Sequence, residues 1–386
     1  MAEFILNPHL AERRWMRDEY VSPYLRRSGF DTYMGRSTDS IIRLITGTDI
    51  GNGSNAVVMP LVGLIRGDGV SGSQVLEGNE EDMDSFADEI RTRWRRNGVK
   101  IPKSESAKSN LDLLRLARPR LRDWAANVIL KRGLIQQMQG IVVPGTTVTD
   151  TDGTTYQGPD TVIPYSQATA AQRNAFVTNN SDRILFGADV ANASSGVMAT
   201  ALATVDSTND KLTAASISKL KRIAQATSTI DATTANNIAP ISPYQVDSDG
   251  SEWFVYFAHP LSFRDLRNDP AMYDALKYSE ERGRNNPLFR GGDLMWDGVI
   301  IREMQDLEVI AGAGASGINV AHNFLAGQSA LAVAYGQEPR LISDTTQDYG
   351  FRPAVAVEEN IGIKKTSYGG RQYGGVSHFV AATPDV

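Results

Sequence analysis

Residues 106–139 read SAKSNLDLLRLARPRLRDWAANVILKRGLIQQMQ, and this stretch has the clearest helical pattern in the chain. Its apolar side chains recur every three to seven residues between strong helix formers, as expected of a helix with one buried face. These side chains are Leu111, Leu114, Leu121, Trp124, Val128 and Leu134. Pro119 lacks the amide proton that a helix interior uses, so we expect a kink or two abutting helices. Gly140 is a plausible stop.

A long two-stranded excursion is predicted before this helix. Residues 56–66 are apolar and β-prone, and the Gly-rich stretch 67–73 follows them. In residues 86–101, charged side chains alternate with a second set, which is Phe86, Ile90, Thr92 and Trp94. An i, i+4 spacing within this set also suits a helix, but the period of two favours a strand. Because an isolated hairpin is only marginally stable in water, such an excursion needs a neighbour to lie against.

Two segments have a less regular composition. Residues 1–50 mix arginine with aromatic residues and have no long periodic stripe, which favours an arm that lies on another surface. A locally packed terminus explains the same residues equally well. Residues 141–182 are rich in Thr, Asp, Gly and Pro, and they predict a loop or a short hairpin insertion rather than core.

The remaining elements do not alternate as βαβ units, so an α+β fold is predicted. Thr213 is a possible N-cap of a helix over residues 212–226, and Asp269-Pro270 opens a helix that runs to Arg282. Strands are expected at 252–258, 298–304, 307–310 and 350–367.

The charge is distributed unevenly along the chain. Residues 77–89 contain seven acidic residues and no basic one, whereas residues 91–132 have about ten more basic than acidic residues. Solvated faces are the ordinary explanation of such runs. Because the two blocks are adjacent, we also consider complementary docking between copies of the chain. The candidate inter-subunit contact residues are Glu77, Glu80, Glu81, Asp82, Asp84, Arg91, Arg93, Arg95, Arg13 and Arg14.

Composition excludes several classes of protein. The chain has 386 residues, enough for two or three domains with a sizeable core, and no cysteine, so disulfides, thiolate zinc sites and cysteine nucleophiles are absent. No apolar run is long enough to span a bilayer, and the N-terminus lacks the pattern of a secretory signal, so we expect no membrane partner. The net charge of −6 argues against a dedicated nucleic-acid-binding protein.

Motifs for catalysis or cofactor binding are weak. Residues 312–317 read GAGASG, a literal G-x-G-x-x-G, but too few residues follow for a dinucleotide-binding fold, and a surface loop is the better explanation. His259 precedes Pro260 and is better explained as a structural histidine than as a base. The acidic run 80–84 lacks the spaced ligands and glycine of a calcium loop. We therefore predict no enzyme, no cofactor and no metal site.

Eight short strings follow one another along the chain: residues 76–78 (LEG), 183–188 (RILFGA), 212–217 (LTAASI), 257–260 (FAHP), 265–267 (DLR), 326–330 (AGQSA), 348–351 (DYGF) and 361–365 (IGIKK). In this order they resemble the major capsid proteins of N-four-type podophages and their relatives. The resemblance extends from about residue 50 to 368.

That family resembles the Hong Kong 97-type capsid fold, and the resemblance implies five parts. They are an N-terminal arm at 1–55, an extended E-loop at 56–104, a peripheral domain with a long spine helix at 105–210, an axial domain at 211–340, and a return to the peripheral domain with a C-terminal tail at 341–386. Some relatives crosslink subunits through an E-loop lysine. Here the first lysine is Lys100, so that chemistry is not expected.

The resemblance implies a major capsid protein of a tailed bacteriophage. Copies would form hexamers and pentamers of an icosahedral head, assembled in the host cytoplasm, that encloses double-stranded DNA without sequence-specific contact. A separate scaffolding protein, a portal protein and a decoration protein are the other expected partners. The alternatives are a nanocompartment shell protein of the same fold, which would hold enzyme cargo, and an unrecognised soluble enzyme or ligand-binding protein.

Overall fold

The computed structural model describes residues 24–25, 28–46, 56–62, 70–72, 85–106, 113–149, 155–226, 240–246, 252–277 and 293–385. The chain divides into two compact units. The first unit comprises Met1–Val57, Ile90–Gln137 and Leu331–Lys364, and the second comprises Val58–Glu89, Met138–Ala330 and Lys365–Val386. Both units combine helices with strands, as the α+β prediction requires. The five-part division by sequence stays a prediction.

The first unit contains a five-stranded sheet with the strand order β1-β2-β17-β18-β5. The strands are β1 (Met34–Gly35), β2 (Ile42–Thr46), β5 (Arg93–Lys100), β17 (Leu331–Asp344) and β18 (Ala354–Lys365). β2 runs parallel to β17, and β5 runs antiparallel to β18. Phe30, Ile41 and Ile42 are fully buried. Residues 28–46 thus contribute buried side chains to the first unit, and the arm stays a prediction.

The predicted long helix is confirmed over residues 113–138. It consists of α2 (Leu113–Trp124), a π-helical segment (Ala125–Lys131) and α3 (Arg132–Met138), after the short helix α1 (Lys103–Ser106). Pro119 lies inside α2 without ending it. The wider π turn shifts the following side chains around the axis, so Val128 is exposed while Leu130 and Leu134 are buried.

The strand predicted over residues 86–101 is two strands. β3 (Ala56–Val62) pairs with β4 (Ser85–Arg91), whereas β5 belongs to the sheet of the first unit. Ile90 and Thr92 are buried, as the alternation predicts, but Trp94 is 54% exposed. The prediction of one continuous face was therefore wrong beyond Thr92, because the chain changes its pairing partner there.

A mixed sheet forms the centre of the second unit. Its strands are β10 (Ile184–Phe186), β11 (Gln245–Val246), β12 (Glu252–Ala258), β13 (Leu294–Trp296), β14 (Val299–Glu303), β15 (Val309–Ile310), β16 (Val320–Ala326) and β21 (Gly375–Ala381). The order is β10-β21-β16-β12-β14-β13. The β10–β21 and β12–β14 pairs are parallel, and β16 pairs antiparallel with both β12 and β21. The short strand β11 pairs with β12, and β15 pairs with β16.

Every residue of β16 and β21 is buried, so both faces of the sheet centre are covered. The phenyl rings of Phe186 and Phe379 stack with centroids 4.8 Å apart. The helices of this unit are α4 (Ala170–Asn179), α5 (Met198–Ala203), α6 (Ala214–Gln225), α7 (Pro260–Asn268) and α8 (Pro270–Lys277). Thr213 Oγ1 accepts the Ser216 amide at 3.2 Å, which confirms the predicted N-cap. The predicted helix at Pro270 is confirmed as far as Lys277, beyond which the description stops.

Residues 141–182 were predicted wrongly as lying outside the core. Short strands are present, in the pairs β6 (Ile141–Val143) with β9 (Thr161–Ile163) and β7 (Thr147–Thr149) with β8 (Thr155–Gln157). β19 (Ser367–Tyr368) and β20 (Arg371–Gln372) form another pair. However, Phe176 of α4 is fully buried in a cluster with Ile141 and Phe379. A reciprocal capping box of Thr169 and Gln172 starts α4. The polar composition thus reflects the hairpins and the cap, not the helix that follows.

Candidate functional site

Strand β5 forms one border of the five-stranded sheet in the first unit. One edge pairs with β18, where Arg95 lies opposite Glu359 and Arg96 opposite Glu358. Among the described residues, no strand pairs with its other edge. All eight residues of β5 are exposed. An open edge carries unpaired backbone donors and acceptors, so it is a template for a further strand unless charges or another segment protect it.

The exposed side chains of β5 are mostly cationic. Arg93, Arg95, Arg96 and Lys100 are exposed, and Arg91 precedes them. On the neighbouring strand, Glu358 is engaged by Arg340, whose Nε donates to Glu358 Oε1 at 2.6 Å. The strand therefore presents a cationic strip that suits a carboxylate-rich or phosphate-rich partner.

Arg91, Arg93 and Arg95 are thus brought together on β4 and β5, as their sequence spacing implies. The other predicted contact residues lie outside the described residues: Arg13, Arg14, Glu77, Glu80, Glu81, Asp82 and Asp84. Asp88, at the end of the acidic block, is not a surface residue. It is 1% exposed, and its Oδ2 accepts the Ser367 amide at 3.2 Å. The acidic block is therefore not a uniformly solvated face.

A buried carboxyl lies beneath the same sheet. Glu359 is fully buried, and Tyr24 donates its hydroxyl hydrogen to Glu359 Oε2 at 3.1 Å. Burial raises the pKa of Glu359 to about 7, although the Tyr24 hydrogen bond and the charge of Arg95 act in the opposite direction. Burial likewise raises the pKa of the Tyr24 phenol, with Tyr335 and Glu359 as lesser causes. Sequence patterns did not indicate this pair.

The second unit buries Lys365, His322 and His378, and burial lowers the pKa of all three side chains. Lys365 Nζ donates to the Gly140 carbonyl at 3.0 Å and lies 5.0 Å from the ring centroid of Phe324. Burial lowers the pKa of Lys365 to about 7 and that of His378 to about 4. His378 contacts the Gly187 carbonyl through Nε2 and the Tyr256 hydroxyl through Nδ1. Both ring nitrogens therefore have a structural partner.

His259 also has a structural partner. It is the N-cap of α7, and its Nδ1 accepts the Leu261 amide at 3.2 Å. Burial lowers its pKa. This capping role agrees with the structural interpretation of the residue.

The G-x-G-x-x-G string lies in a hairpin loop. It follows β15 and precedes β16, and these two strands pair antiparallel. A three-residue 3-10 turn, Ala315–Gly317, occupies the place where a dinucleotide site needs the N-terminus of a helix. Gly312 has φ +64° and Gly317 has φ +78°. The glycines therefore serve the loop conformation.

Other ligand sites have little support in the described ranges. No group of three or more His, Asp or Glu side chains is arranged to hold a metal ion there. A cavity of about 160 Å³ in the first unit, lined by Tyr24, Arg36, Leu44 and Tyr335 among others, is smaller than typical ligand pockets. None of the described helices has the length and hydropathy of a membrane span.

Comparison with known proteins gives one consistent result. The family described as phage capsid protein matches residues 10–379. The major capsid protein of Pseudomonas phage KPP25 is 25% identical over 356 residues, which cover 87% of this chain and 84% of that protein. The solved capsid of cyanophage Pam1 aligns with a TM-score of 0.77 and 30% identity, over 94% of each chain. The capsid of Ralstonia phage GP4 aligns with a TM-score of 0.67 and 23% identity, over 92% of each chain.

Proposed function

Because this chain belongs to the phage capsid protein family, we propose that it is the major capsid protein of a tailed bacteriophage, whose copies close the icosahedral head around the DNA genome. The observation that carries this function is the shared fold with the Pam1 capsid over 94% of both chains. The fold is the Hong Kong 97-type capsid fold that the sequence resemblance implies.

The work of such a protein is physical rather than catalytic. Copies associate head-to-tail into rings, a heterologous contact that closes by symmetry, and the resulting hexamers and pentamers tile the shell. The chain has no enzymatic role in this function. Assembly takes place in the host cytoplasm and the finished protein is part of the virion.

The five predicted parts have roles in this assembly. Residues 1–55 are the N-terminal arm, 56–104 the E-loop, 105–210 the peripheral domain with the spine helix, 211–340 the axial domain, and 341–386 the return to the peripheral domain. The helix over residues 113–138 is the spine. Scaffolding, portal and decoration proteins are the expected further partners.

The contact between copies is electrostatic in part. The acidic block, with Glu77, Glu80, Glu81, Asp82 and Asp84, lies against a neighbouring copy's cationic strip of Arg91, Arg93 and Arg95. Arg13 and Arg14 of the arm contribute further cations. The exposure of all eight β5 residues supports this proposal, because such an edge is available to a neighbour. Each exposed ion pair contributes only about 0 to 1 kcal/mol, so repetition over the shell supplies the stability.

Electron microscopy of the purified protein, with co-expressed scaffold where it is needed, tests the capsid function. We expect closed shells or hexameric and pentameric rings from the wild type. A persistent monomer or dimer under all conditions would overturn the capsid function. Shells that contain DNA distinguish the phage head from a nanocompartment with enzyme cargo.

Charge reversal tests the contact separately. Glu81→Lys with Asp82→Lys should prevent assembly while leaving the subunit folded, and adding Arg93→Glu with Arg95→Glu should restore it. A matched control reverses two exposed acids of the second unit, Asp274→Lys with Glu303→Lys, which should still assemble. Normal shells from the first variant would refute the electrostatic contact and leave the capsid function standing.

A further inference from the structure

Asn97 and Gly98 are adjacent in strand β5, and both residues are exposed to solvent. The Gly98 amide donates a hydrogen bond to the side-chain oxygen of Asn97, Oδ1, at 2.9 Å. The carbon that carries this oxygen, Cγ, is the electrophilic centre of the side-chain amide. The Gly98 nitrogen therefore lies beside a carbonyl carbon with which it can close a succinimide ring.

The register of β5 leaves the Gly98 nitrogen outside the ladder of the sheet. The Ile101 amide, just after β5, donates to the Pro353 carbonyl, just before β18, at 3.1 Å. Amides that point towards β18 alternate along an antiparallel strand, so those of Val99 and Asn97 do so too. The Gly98 amide points to the opposite edge, with which no strand among the described residues pairs. Attack by this nitrogen therefore breaks no ladder hydrogen bond of Gly98.

Three further features of β5 favour ring closure. Residue 98 has no Cβ that would crowd the attacking nitrogen. Asn97 must turn away from Val357, its partner on β18, and a strand that is paired along one edge opens locally at lower cost than a central strand. The charged residues of β5 are all cations, whose field stabilises the negative charge on the nitrogen as it attacks: Arg93, Arg95, Arg96 and Lys100.

We propose that Asn97-Gly98 is a site of spontaneous deamidation, which converts Asn97 into aspartate and isoaspartate. First the Gly98 nitrogen loses its proton and bonds to Cγ of Asn97, and the side-chain nitrogen leaves as ammonia. A water molecule then adds to one of the two ring carbonyl carbons and breaks its bond to the ring nitrogen. Opening at Cγ gives aspartate, and opening at the main-chain carbonyl carbon gives isoaspartate. Solvent water is the only other reactant.

The modification changes the cationic strip. Either product adds a negative charge to a strand whose charged side chains are all positive. Isoaspartate also lengthens the backbone by one carbon, so the pairing of β5 with β18 is shifted after residue 97. The contact between copies should therefore weaken as unassembled subunits age. This consequence rests on the proposed function, whereas the chemistry at Asn97 does not.

The test is incubation of the unassembled full-length subunit at about pH 8 and 37 °C, followed by chymotryptic digestion and mass spectrometry. Cleavage after Trp94 and Leu111 releases residues 95–111, in which each conversion adds one mass unit. Labelling by isoaspartyl methyltransferase detects isoaspartate. We expect Asn97 in the folded subunit to react at no less than about a tenth of its rate in guanidinium chloride, because β5 opens locally. A slower reaction, or none, in the folded subunit would overturn the proposal.

Gly98→Ala tests the ring closure. Its Cβ would lie 3.1 Å from the Ala356 Cβ, so a small shift should keep the subunit folded, and the melting temperature checks this. We expect modification at least about tenfold slower than in the wild type. Equal rates would overturn the proposal, because the reaction would not then pass through the residue 98 nitrogen. Exposed Asn209, which precedes Asp210, is the control in the same digest and should react more slowly than Asn97.

Asn97→Asp tests the consequence, with Asn97→Gln as its neutral control. We expect fewer sedimenting shells from Asn97→Asp than from Asn97→Gln. Equal yields would separate the modification from the contact between copies and leave the deamidation site standing. Deamidation in a subunit that never forms shells would contradict the capsid function alone.

Discussion

The hydroxyl of Tyr24 donates a 3.1 Å hydrogen bond to Glu359 Oε2 across 335 positions of the sequence. Glu359 is on β18, the neighbour of the open strand β5, and it is fully buried. The contact therefore fixes a residue of the N-terminal segment to strand β18 of the sheet in the first unit, at the cost of a carboxyl group removed from water.

Stability of the first unit should fall as the pH rises towards and above 7. The pKa of Glu359 is raised from 4.5 to about 7, so the folded chain binds more protons than the unfolded chain between these values. The stabilising effect is complete below about pH 4.5 and is lost as the pH passes 7. Glu359→Gln keeps an acceptor for Tyr24 but has no ionisable carboxyl group. It should therefore remove this pH dependence, which changes the free energy of unfolding by at most about 3 kcal/mol between pH 5 and 8.

Urea unfolding of wild type and Glu359→Gln at several pH values measures that difference. Glu358→Gln is the control, because the Glu358 side chain keeps some exposure to solvent and its carboxylate pairs with Arg340. An unchanged pH dependence in Glu359→Gln would show that another group is responsible.

Stability of the second unit should have the opposite pH dependence because of Lys365, and Lys365→Met should remove it. Burial lowers the pKa of Lys365 from 10.5 to about 7, so between these values the unfolded chain binds more protons, and wild-type stability rises with pH. We expect the free energy of unfolding of the wild type to gain up to about 1.4 kcal/mol per pH unit relative to Lys365→Met in this window. Denaturant titrations at pH 7, 8 and 9 measure it, and exposed Lys211→Met is the control. A constant difference between the two proteins would contradict the prediction.

Trp94→Ser should affect assembly and not subunit stability. The side chain is 54% exposed on β5, so its loss removes little burial within the subunit, whereas tryptophan is a frequent anchor of interfaces. We expect an unchanged melting temperature and at least about a tenfold loss of assembled shells, measured by sedimentation. Tyr273→Ser, at a side chain 48% exposed on α8, should assemble normally. Full assembly of Trp94→Ser would show that β5 is not part of the contact between copies.

Gly187→Ala should destabilise the second unit more than Gly312→Ala does. Both glycines have left-handed backbones, with φ +60° and +64°, so an alanine costs about 1 kcal/mol at either position. A Cβ at Gly187 would also clash with the Asp210 carboxylate, whose Oδ1 accepts the Ala188 amide at 2.8 Å. At Gly312 the nearest atom, the Gly317 carbonyl oxygen, is 3.9 Å away. Thermal unfolding should show a loss of stability that is larger in Gly187→Ala than in Gly312→Ala by more than about 1 kcal/mol. Equal losses would mean that the Asp210 side chain moves to accommodate the added methyl group.

Local sequence patterns predicted those helices and strands whose periodicity or capping residues lie within the helix or strand itself. The helix over residues 113–138, the Thr213 cap and strand β12 have their periodicity or cap within a few residues. Strand β17 was not predicted, because its apolar first half is followed by Gly336 and Pro339, residues that disfavour strands. Its pairing with β2, which is distant in sequence, overrides those residues.

The candidate site shows the same division. The cationic strip was predictable from charge spacing, but the exposure of Trp94 was not, since alternation cannot show that β5 is an edge strand. Likewise, no sequence pattern marks Glu359 and Lys365 as buried residues. Their burial follows from strand pairing, and no short window contains that information.

The parallel pairing of β2 with β17 has a consequence for synthesis on the ribosome. Ile42 pairs with Leu331, and β5 pairs with β18, so both must remain unpaired until the later strands are synthesised. The sheet of the first unit is therefore incomplete until the ribosome has made residue 365. At bacterial elongation rates the delay is on the order of tens of seconds. A nascent chain therefore cannot present strand β5 in its final place beside β18, so the proposed contact between copies can form only after nearly the whole chain has been synthesised.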